Sequence, residues 1–418
     1  MTIDEKLYSL SNEAEIALRP HFERIDAIAY NNTKRVMDAF REMRVSDTMF
    51  AASSGYGYDD RGRDTLDKIY ARVFGAKAAL VRHNIVSGTH AIAIALFGIL
   101  RPGDILLSVT GAPYDTLEST IGISGKTGDG SLADFGIEYM QIELSEGQID
   151  CAAAAKTLQR LGKRVKVVYV QRSKGYLDRP TLSVEQIGAL CDVVRRNSDA
   201  YVLVDNCYGE FVEEREPTHV GADIIVGSLI KNPGGGLAES GGYIAGDARA
   251  VEQISYRLTC PGVGAEVGAT MGQNKNMFRG FFYAPHTVAQ ALKTAHFAAY
   301  IFDALGYGTE PNYNTVRGDI IQAVKLGSAE KLIKFCRGIQ AGSPVDAHLS
   351  PEPWEMPGYS SKVIMAAGTF VQGASIELSA DGPLREPYIA FFQGGLTYES
   401  GKLGILEAAR ALLDPSFT

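Results

Sequence analysis

Between Lys77 and Gly246, short apolar, β-rich runs alternate with longer helical patterns, and this alternation restricts the chain to one class of fold. The runs are Ala78–Val81, Asp104–Val109, Val165–Val170, Tyr201–Val204, Ile224–Val226 and Gly242–Ala245. They are largely apolar at consecutive positions, as strands covered on both faces are. Between the third and fourth, Ser183 and Gln186 read as a capping box, and Ile187, Leu190, Val193 and Val194 form one apolar helix face. Continuous strands with interposed helices predict an α/β chain with a mostly parallel sheet. Such sheets bind ligands beyond the carboxyl ends of their strands.

Outside this region the pattern changes. Residues 1–50 read as mainly helical, with Glu13–Leu18 and Arg35–Arg44 the clearest segments, and suggest an arm or helix pair outside the sheet. A helical pattern from His286 to Leu305 follows a glycine-rich passage and leads toward a second domain. From Thr315 onward the reading is mixed: a helix near Ala329–Ile339, strand-like runs near Val363–Phe370 and Ser375–Leu378, and a final helix near Leu403–Leu413. With 418 residues, too many for one ordinary core, the expected division is an arm at 1–50, a large domain at 51–285, and a linking helix with a small domain at 286–418.

A hydrophobic content of 45% with 22% charged residues is that of a soluble globular protein. The net charge of −8 argues against nucleic acid or an anionic membrane as partner. The longest nearly apolar run, Ala91–Leu100, is far short of the ~20 residues of a bilayer span. No basic segment followed by an apolar core marks the first residues, so a cytoplasmic location is expected. The five cysteines are scattered without C-x-x-C spacing, and the seven histidines show no H-x-x-x-H pair, so neither a disulfide framework nor a metal site is expected.

Two strand ends carry chemistry. Val202–Asp205 ends on a carboxylate, and Ile224–Val226 is followed by Ser228, Lys231 and the glycines 234–236. Taken alone, the lysine is an ordinary surface charge and the aspartate an ordinary helix cap. Upstream, Ser87, Gly88 and Thr89 follow a strand and begin a helix, which offers hydroxyls and backbone N–H groups to a phosphate. Tyr114 follows the second strand, where its ring could stack on a flat ligand or simply fill a turn. A phosphate cradle, an aspartate and a lysine in this order are what pyridoxal phosphate (PLP) needs. The lysine forms a Schiff base, and the aspartate keeps the pyridine nitrogen protonated so that the ring stores electrons. Two rival phosphate motifs fail. Gly125-Lys126-Thr127 has Thr120 where a P-loop needs glycine, and Gly262, Gly264 and Gly268 are spaced one residue too far for a dinucleotide fingerprint.

The ordered set Ser87-Gly88-Thr89, Tyr114, Val204-Asp205-Asn206 and Ser228-x-x-Lys231 resembles the fold-type-I PLP enzymes of cysteine and methionine metabolism. Within them the chain is most similar to the methionine γ-lyase-like, or aluminium resistance protein, branch. Residues 53–63, 170–176 and 384–388 look like signatures of that branch. The resemblance implies the aspartate aminotransferase-like PLP-dependent transferase fold, with a mostly parallel seven-stranded sheet and a smaller α+β C-terminal domain. It implies Lys231 as the Schiff-base lysine, Asp205 as the pyridinium partner, Ser87, Gly88, Thr89 and Ser228 as phosphate ligands, and Tyr114 stacked on the ring. It places Arg385 on the substrate carboxylate. Among Tyr56, Tyr58, Arg61 and Arg63, of which Tyr58 and Arg63 are the chosen cofactor ligands, it implies a segment reaching a neighbouring subunit's phosphate. A homodimer or homotetramer with shared sites follows from that. Two positions depart from the group: Ile230 stands in the place of its usual threonine, and Gln171 is the nearest match to its usual asparagine.

The implied reaction is elimination from a sulfur-containing amino acid of the methionine or cystathionine type. Lys231 removes the α-proton, Tyr114 protonates the leaving group, and thiol, 2-oxo acid and ammonia are released. A lysine serving as base needs its pKa lowered toward neutrality, which burial and the cofactor are expected to do. The sequence does not choose between β- and γ-elimination. γ-Replacement (sulfhydrylation) and transamination are the alternatives within PLP chemistry, and a metal-stress binding protein is the alternative outside it.

Overall fold

The structure, a computed structural model, describes residues 2–356, 359 and 361–417. The chain begins with one helix, α1 (Ile3–Glu42), where the sequence pattern suggests two segments. Thr2 and Glu5 form its capping box: the Glu5 N–H donates to the Thr2 hydroxyl at 3.2 Å and the Thr2 N–H to the Glu5 carboxylate at 2.7 Å. The helix runs through Pro20, which removes one backbone donor and crowds the preceding turn, a cost of about 3 kcal/mol in a helix interior.

The chain then builds the large sheet. In order come α2 (Arg61–Val73), β1 (Ala78–Arg82), α3 (Gly88–Ile99), β2 (Ile105–Ser108), α4 (Asp115–Ile121), β3 (Glu138–Gln141), α5 (Cys151–Leu161), β4 (Val165–Gln171), α6 (Val184–Asn197), β5 (Tyr201–Asp205), β6 (Ile224–Ser228), β7 (Gly242–Gly246) and α7 (Ala248–Leu258). The sheet order is β1-β7-β6-β5-β4-β2-β3, with β7 antiparallel to both neighbours and the other pairs parallel. All six apolar runs are strands. The seventh, β3, escapes a pattern search because it is an edge strand whose side chains are exposed or half-buried. One face packs Ile92, Leu96 and Ile254 against Leu106 and Leu203, and the other packs Ile69 and Ile187 against Val168 and Val204.

A second long helix, α8 (Asn274–Ala304), starts before the expected His286 and continues through Pro285. The small sheet follows: β8 (Gly308–Glu310), β9 (Gln322–Lys325), α9 (Ala329–Ala341), β10 (Val363–Ala366), β11 (Leu378–Pro383), β12 (Ile389–Gly394) and α10 (Tyr398–Leu413). Its order is β10-β11-β12-β9-β8, all antiparallel. The expected strand at Ser375–Leu378 is instead a loop up to β11. Glu377 explains this, because its carboxylate accepts the N–H groups of Phe370 at 2.7 Å and Val371 at 2.9 Å and turns the chain there.

α1 and α8 explain how both sheets belong to one body. Leu7, Ala14 and Leu18 join Phe297, Ile301 and Phe302 in the core of the small sheet, whereas Val36 and Ala39 join Met277 and Phe281 in the core of the large one. The two helices therefore run antiparallel, each with one end in each core. At 1.5 Å per residue α1 is about 60 Å long, enough to span both. Packing along this length outweighs the local cost of Pro20 and Pro285. Among the described residues no helix is long and apolar enough to cross a membrane.

Candidate active site

Carboxyl ends of neighbouring strands bring the polar residues together. Gln171 ends β4 and Asp205 ends β5, and the two are partners in the strand register. Ser228 ends β6, and Lys231 follows at its exit. The start of α3 supplies Ser87, Gly88 and Thr89. All of these, with Tyr114, line one cleft of about 170 Å³.

Each cradle residue has a defined local state. The Ser87 hydroxyl caps α3 by accepting the His90 N–H at 3.0 Å, so the ordinary capping role and the position at the cleft are both realised. The Thr89 hydroxyl lies 2.7 Å from that of Thr116. Gly88 is required by close approach: a Cβ there would stand 2.9 Å from the Cys207 sulfur. The Ser228 hydroxyl and the Gln171 side-chain oxygen are buried without a hydrogen-bond partner. Buried polar atoms are seldom left so, and these two line the cleft beside a helix N-terminus, a setting suited to a phosphorylated ligand.

Asp205 is buried, and its Oδ1 accepts the Cys207 N–H at 3.1 Å, which leaves Oδ2 for a cationic partner. Burial raises its carboxyl above the usual carboxylate range, and the Lys231 ammonium opposes that rise. Lys231 stands between opposing influences in the chain without its cofactor. Burial alone pushes its amine down, but the Cys207 thiol, the Tyr208 phenol and the Asp205 carboxylate together push it up further, above the usual lysine range. The sequence pairs Asp205 with Lys231 but does not show Tyr208 over the amine.

Tyr114 reaches the cleft from the start of α4, and its hydroxyl lies 2.7 Å from the Tyr359 hydroxyl. Burial holds its phenol well above the usual value, so it keeps its proton. Gly175, at φ +57°, makes room for this ring: a Cβ there would stand 2.8 Å from Tyr114 Cδ2. Arg385 is exposed on the connection from β11 to β12 and lines an adjoining recess that shares Tyr114, Gln171 and Tyr176 with the cleft.

The loop before α2 stands apart from the cleft. Tyr56 and Tyr58 are 74% and 65% exposed, with ring centres 5.6 Å apart, and Arg61 is exposed too. Arg63 is buried and spent within its own chain, donating to the carbonyls of Gly57 at 2.7 Å and Gly268 at 3.0 Å and pairing with Asp64 at 2.9 Å.

Sequence reasoning missed several residues of the cleft. Tyr208 follows β5 in a left-handed conformation, φ +73°, and its ring centre lies 4.0 Å from Lys231 Nζ. Tyr176 lines the cleft with Tyr359 packed against it, and Asp381 enters from β11. A non-glycine residue at positive φ is uncommon and often functional, but that signal lies in the backbone and not in the sequence. Among the described residues no group of three or more His, Cys, Asp or Glu is placed to hold a metal ion.

The profile of the methionine gamma-lyase family matches residues 7–413. The chain belongs to that family. Its relatives include YnbB of Bacillus subtilis (strain 168), 51% identical over 415 residues, which cover 99% of this chain and 98% of that one. The crystal structure of a carbon-sulfur lyase involved in aluminum resistance from Clostridium novyi NT superposes with a TM-score of 0.93 at 48% identity, covering 97% of this chain and 96% of that one. At 17% identity the likeness to the pyridoxal-5'-phosphate dependent protein YhfS from Escherichia coli, TM-score 0.61 over 92% of this chain and 96% of that one, shows a shared fold. The fold is that of the fold-type-I PLP enzymes. Family membership therefore implies PLP as the cofactor, and the cleft supplies groups suited to it.

Proposed function

We propose that the protein is a PLP-dependent carbon–sulfur lyase that converts a sulfur-containing amino acid and water to a thiol, a 2-oxo acid and ammonia. The observation that carries this reading is the convergence of Lys231, Asp205, the start of α3 and the partnerless Ser228 hydroxyl on one cleft. Family membership supports the chemistry, and the Clostridium novyi relative carries the same reaction class in its name. Bound PLP supplies an electron sink that stabilises negative charge at the substrate Cα.

The remaining work falls to side chains of this chain. The Ser228 hydroxyl and the first N–H groups of α3 would hold a phosphate, and Gly88 would let the backbone approach it. Asp205 Oδ2 would accept from a protonated pyridine nitrogen, and burial would strengthen that pairing. Gln171, its partner in register, offers a side-chain oxygen beside it. Lys231 Nζ is the group placed to take the Cα proton once it is unprotonated and free. The Tyr114 hydroxyl, which keeps its proton, can transfer it to the departing sulfur. Arg385 lies at the rim, where a guanidinium suits a substrate carboxylate. Tyr56, Tyr58 and Arg61 are free to reach a neighbouring copy, in keeping with an active homodimer or homotetramer, whereas Arg63 is committed to its own loop.

The test is the visible absorption of the purified protein beside Lys231→Ala, with and without sulfur amino acids, followed by product analysis. The expected result is a lysine-dependent band that responds to substrate, with 2-oxo acid, thiol and ammonia released together. A protein that shows no band after incubation with PLP would overturn the reading. A new amino acid in place of 2-oxo acid would replace it with γ-replacement.

A further inference from the structure

A second cavity, of about 330 Å³, shares no lining residue with the cleft. It opens where the two long helices meet loops from both sheets. His21 and Arg24 come from α1, His296 from α8, Arg215 from the loop after β5, and Arg317 from the loop before β9.

The lining is cationic and incompletely paired. Arg317 is 5% exposed, yet its guanidinium donates only to uncharged acceptors: the carbonyls of Ile321 at 3.2 Å and Ala295 at 3.1 Å, and the Gln322 side-chain oxygen. Its Nε is buried without a partner. Burial lowers this guanidinium to about 10, with the Asp319 and Glu310 carboxylates opposing the fall. A buried charge without a close counter-charge is costly, and an anion beside it removes that cost. Among the described residues neither Arg24 nor Arg215 forms an ion pair. The two acids of the lining are engaged elsewhere. Glu213 accepts from Arg172 at 2.8 Å and from the Val184 N–H at 3.0 Å, and Glu214 accepts from Asn31 at 3.0 Å. The His21 and His296 rings stack with centres 5.0 Å apart. Burial and the Arg317 charge hold the His296 imidazole down to about 3, against the pull of the Tyr313 carbonyl, so positive charge already fills its surroundings.

Between the cations the surface is apolar, formed by Ile25, Ile28 and Leu292. We propose that this cavity binds a small organic anion, with its oxyanion head on Arg24, Arg215 and Arg317 and its apolar body on Ile25, Ile28 and Leu292. The head is a phosphate ester or a carboxylate, because the guanidinium fork matches either. The site is distinct from the cofactor's phosphate cradle and does not depend on the lyase reading.

The test is calorimetry on the cofactor-loaded full chain at low ionic strength, where charge pairing is least screened. The probes are phenyl phosphate and phthalate, two dianions on the same ring, with benzyl alcohol as a ring without charge and inorganic phosphate as charge without a ring. One dianion is expected to bind once per chain, roughly tenfold or more tighter than benzyl alcohol and inorganic phosphate. The tighter of the two tells a phosphate ester from a carboxylate. Arg24→Ala combined with Arg215→Ala, both exposed side chains, should weaken that binding by about tenfold or more. Lys163→Ala with Lys166→Ala, which removes the same charge elsewhere, should leave it unchanged. If the arginine double variant does not fold, Val316→Glu replaces it: this residue is 61% exposed at the cavity rim, and a negative charge there should weaken binding likewise.

No binding by either dianion would overturn the proposal. So would binding that benzyl alcohol matches, or binding that survives the loss of both arginines. Failure of the lyase reading shows separately, as a protein with no visible band after incubation with PLP. A probe seated on the empty cradle of Ser87 and Ser228 would then bind without Arg24 or Arg215, whereas heat lost with those arginines reports the cavity.

Discussion

The two sides of the cleft are built by different means. On the large-sheet side, Gln171, Asp205 and Ser228 stand at consecutive strand ends, set by parallel register. On the other side, Tyr176, Tyr208, Tyr359 and Asp381 come from loops and from an antiparallel strand about the same space. The first side is a repeated structural solution, in which ligands sit where parallel strands end. The second has no such rule. Its residues are aromatic or acidic, and each taken alone is an ordinary surface or core residue. The comparison teaches that the candidate cofactor groups are written in local motifs, while the wall facing them rests on tertiary placement.

Substitutions test this division, and Lys231→Ala carries the largest expected effect. It should remove the lysine-dependent absorption band and lower kcat/KM by roughly 10³-fold or more, as measured by steady-state kinetics. Retained turnover would place the base elsewhere. Asp205→Asn should keep the fold and lower kcat by about 10²-fold or more, because a neutral amide no longer holds the pyridine proton. An effect on KM alone would show that Asp205 merely seats the cofactor.

Gly88→Ala should weaken PLP affinity by about tenfold in a fluorescence titration, since its Cβ would meet the Cys207 sulfur at 2.9 Å. Adding Cys207→Gly to that variant should restore most of the loss, a coupling that a remote effect would not give.

A separate effect, on stability rather than on turnover or affinity, concerns the small-sheet side. With its carboxyl at about 7 in the folded state, Asp381 keeps a proton that the unfolded chain gives up near pH 4. Its contribution is therefore fully present at low pH and is lost as pH rises toward 7. Denaturant unfolding of wild type and Asp381→Asn should diverge by roughly 1–3 kcal/mol across that window, with the variant gaining relative to wild type at the upper end. Parallel curves would mean that the carboxylate is already ionised and paired.

Much of this protein follows from sequence alone. Apolar runs and interposed helices specify the parallel core, because strands buried on both faces must be apolar throughout. Lys231, Asp205, Ser87, Gly88 and Ser228 are legible because each stands at or beyond the end of an apolar strand. The edge strand β3 is not legible, since its side chains are largely outside the core. Neither is the continuity of α1 and α8: Pro20 and Pro285 break the local signal, and only packing along both cores keeps the helices whole. The spent state of Arg63 depends on the nearby Gly57 carbonyl and on the Gly268 carbonyl, which folds to it from a distant part of the chain. That the Tyr208 ring lies over Lys231 is likewise revealed by no spacing. Local rules act through a few neighbouring residues and can be read in one dimension. Charge, burial and the wall facing the strand ends are sums over groups far apart in sequence, so only the tertiary structure decides them.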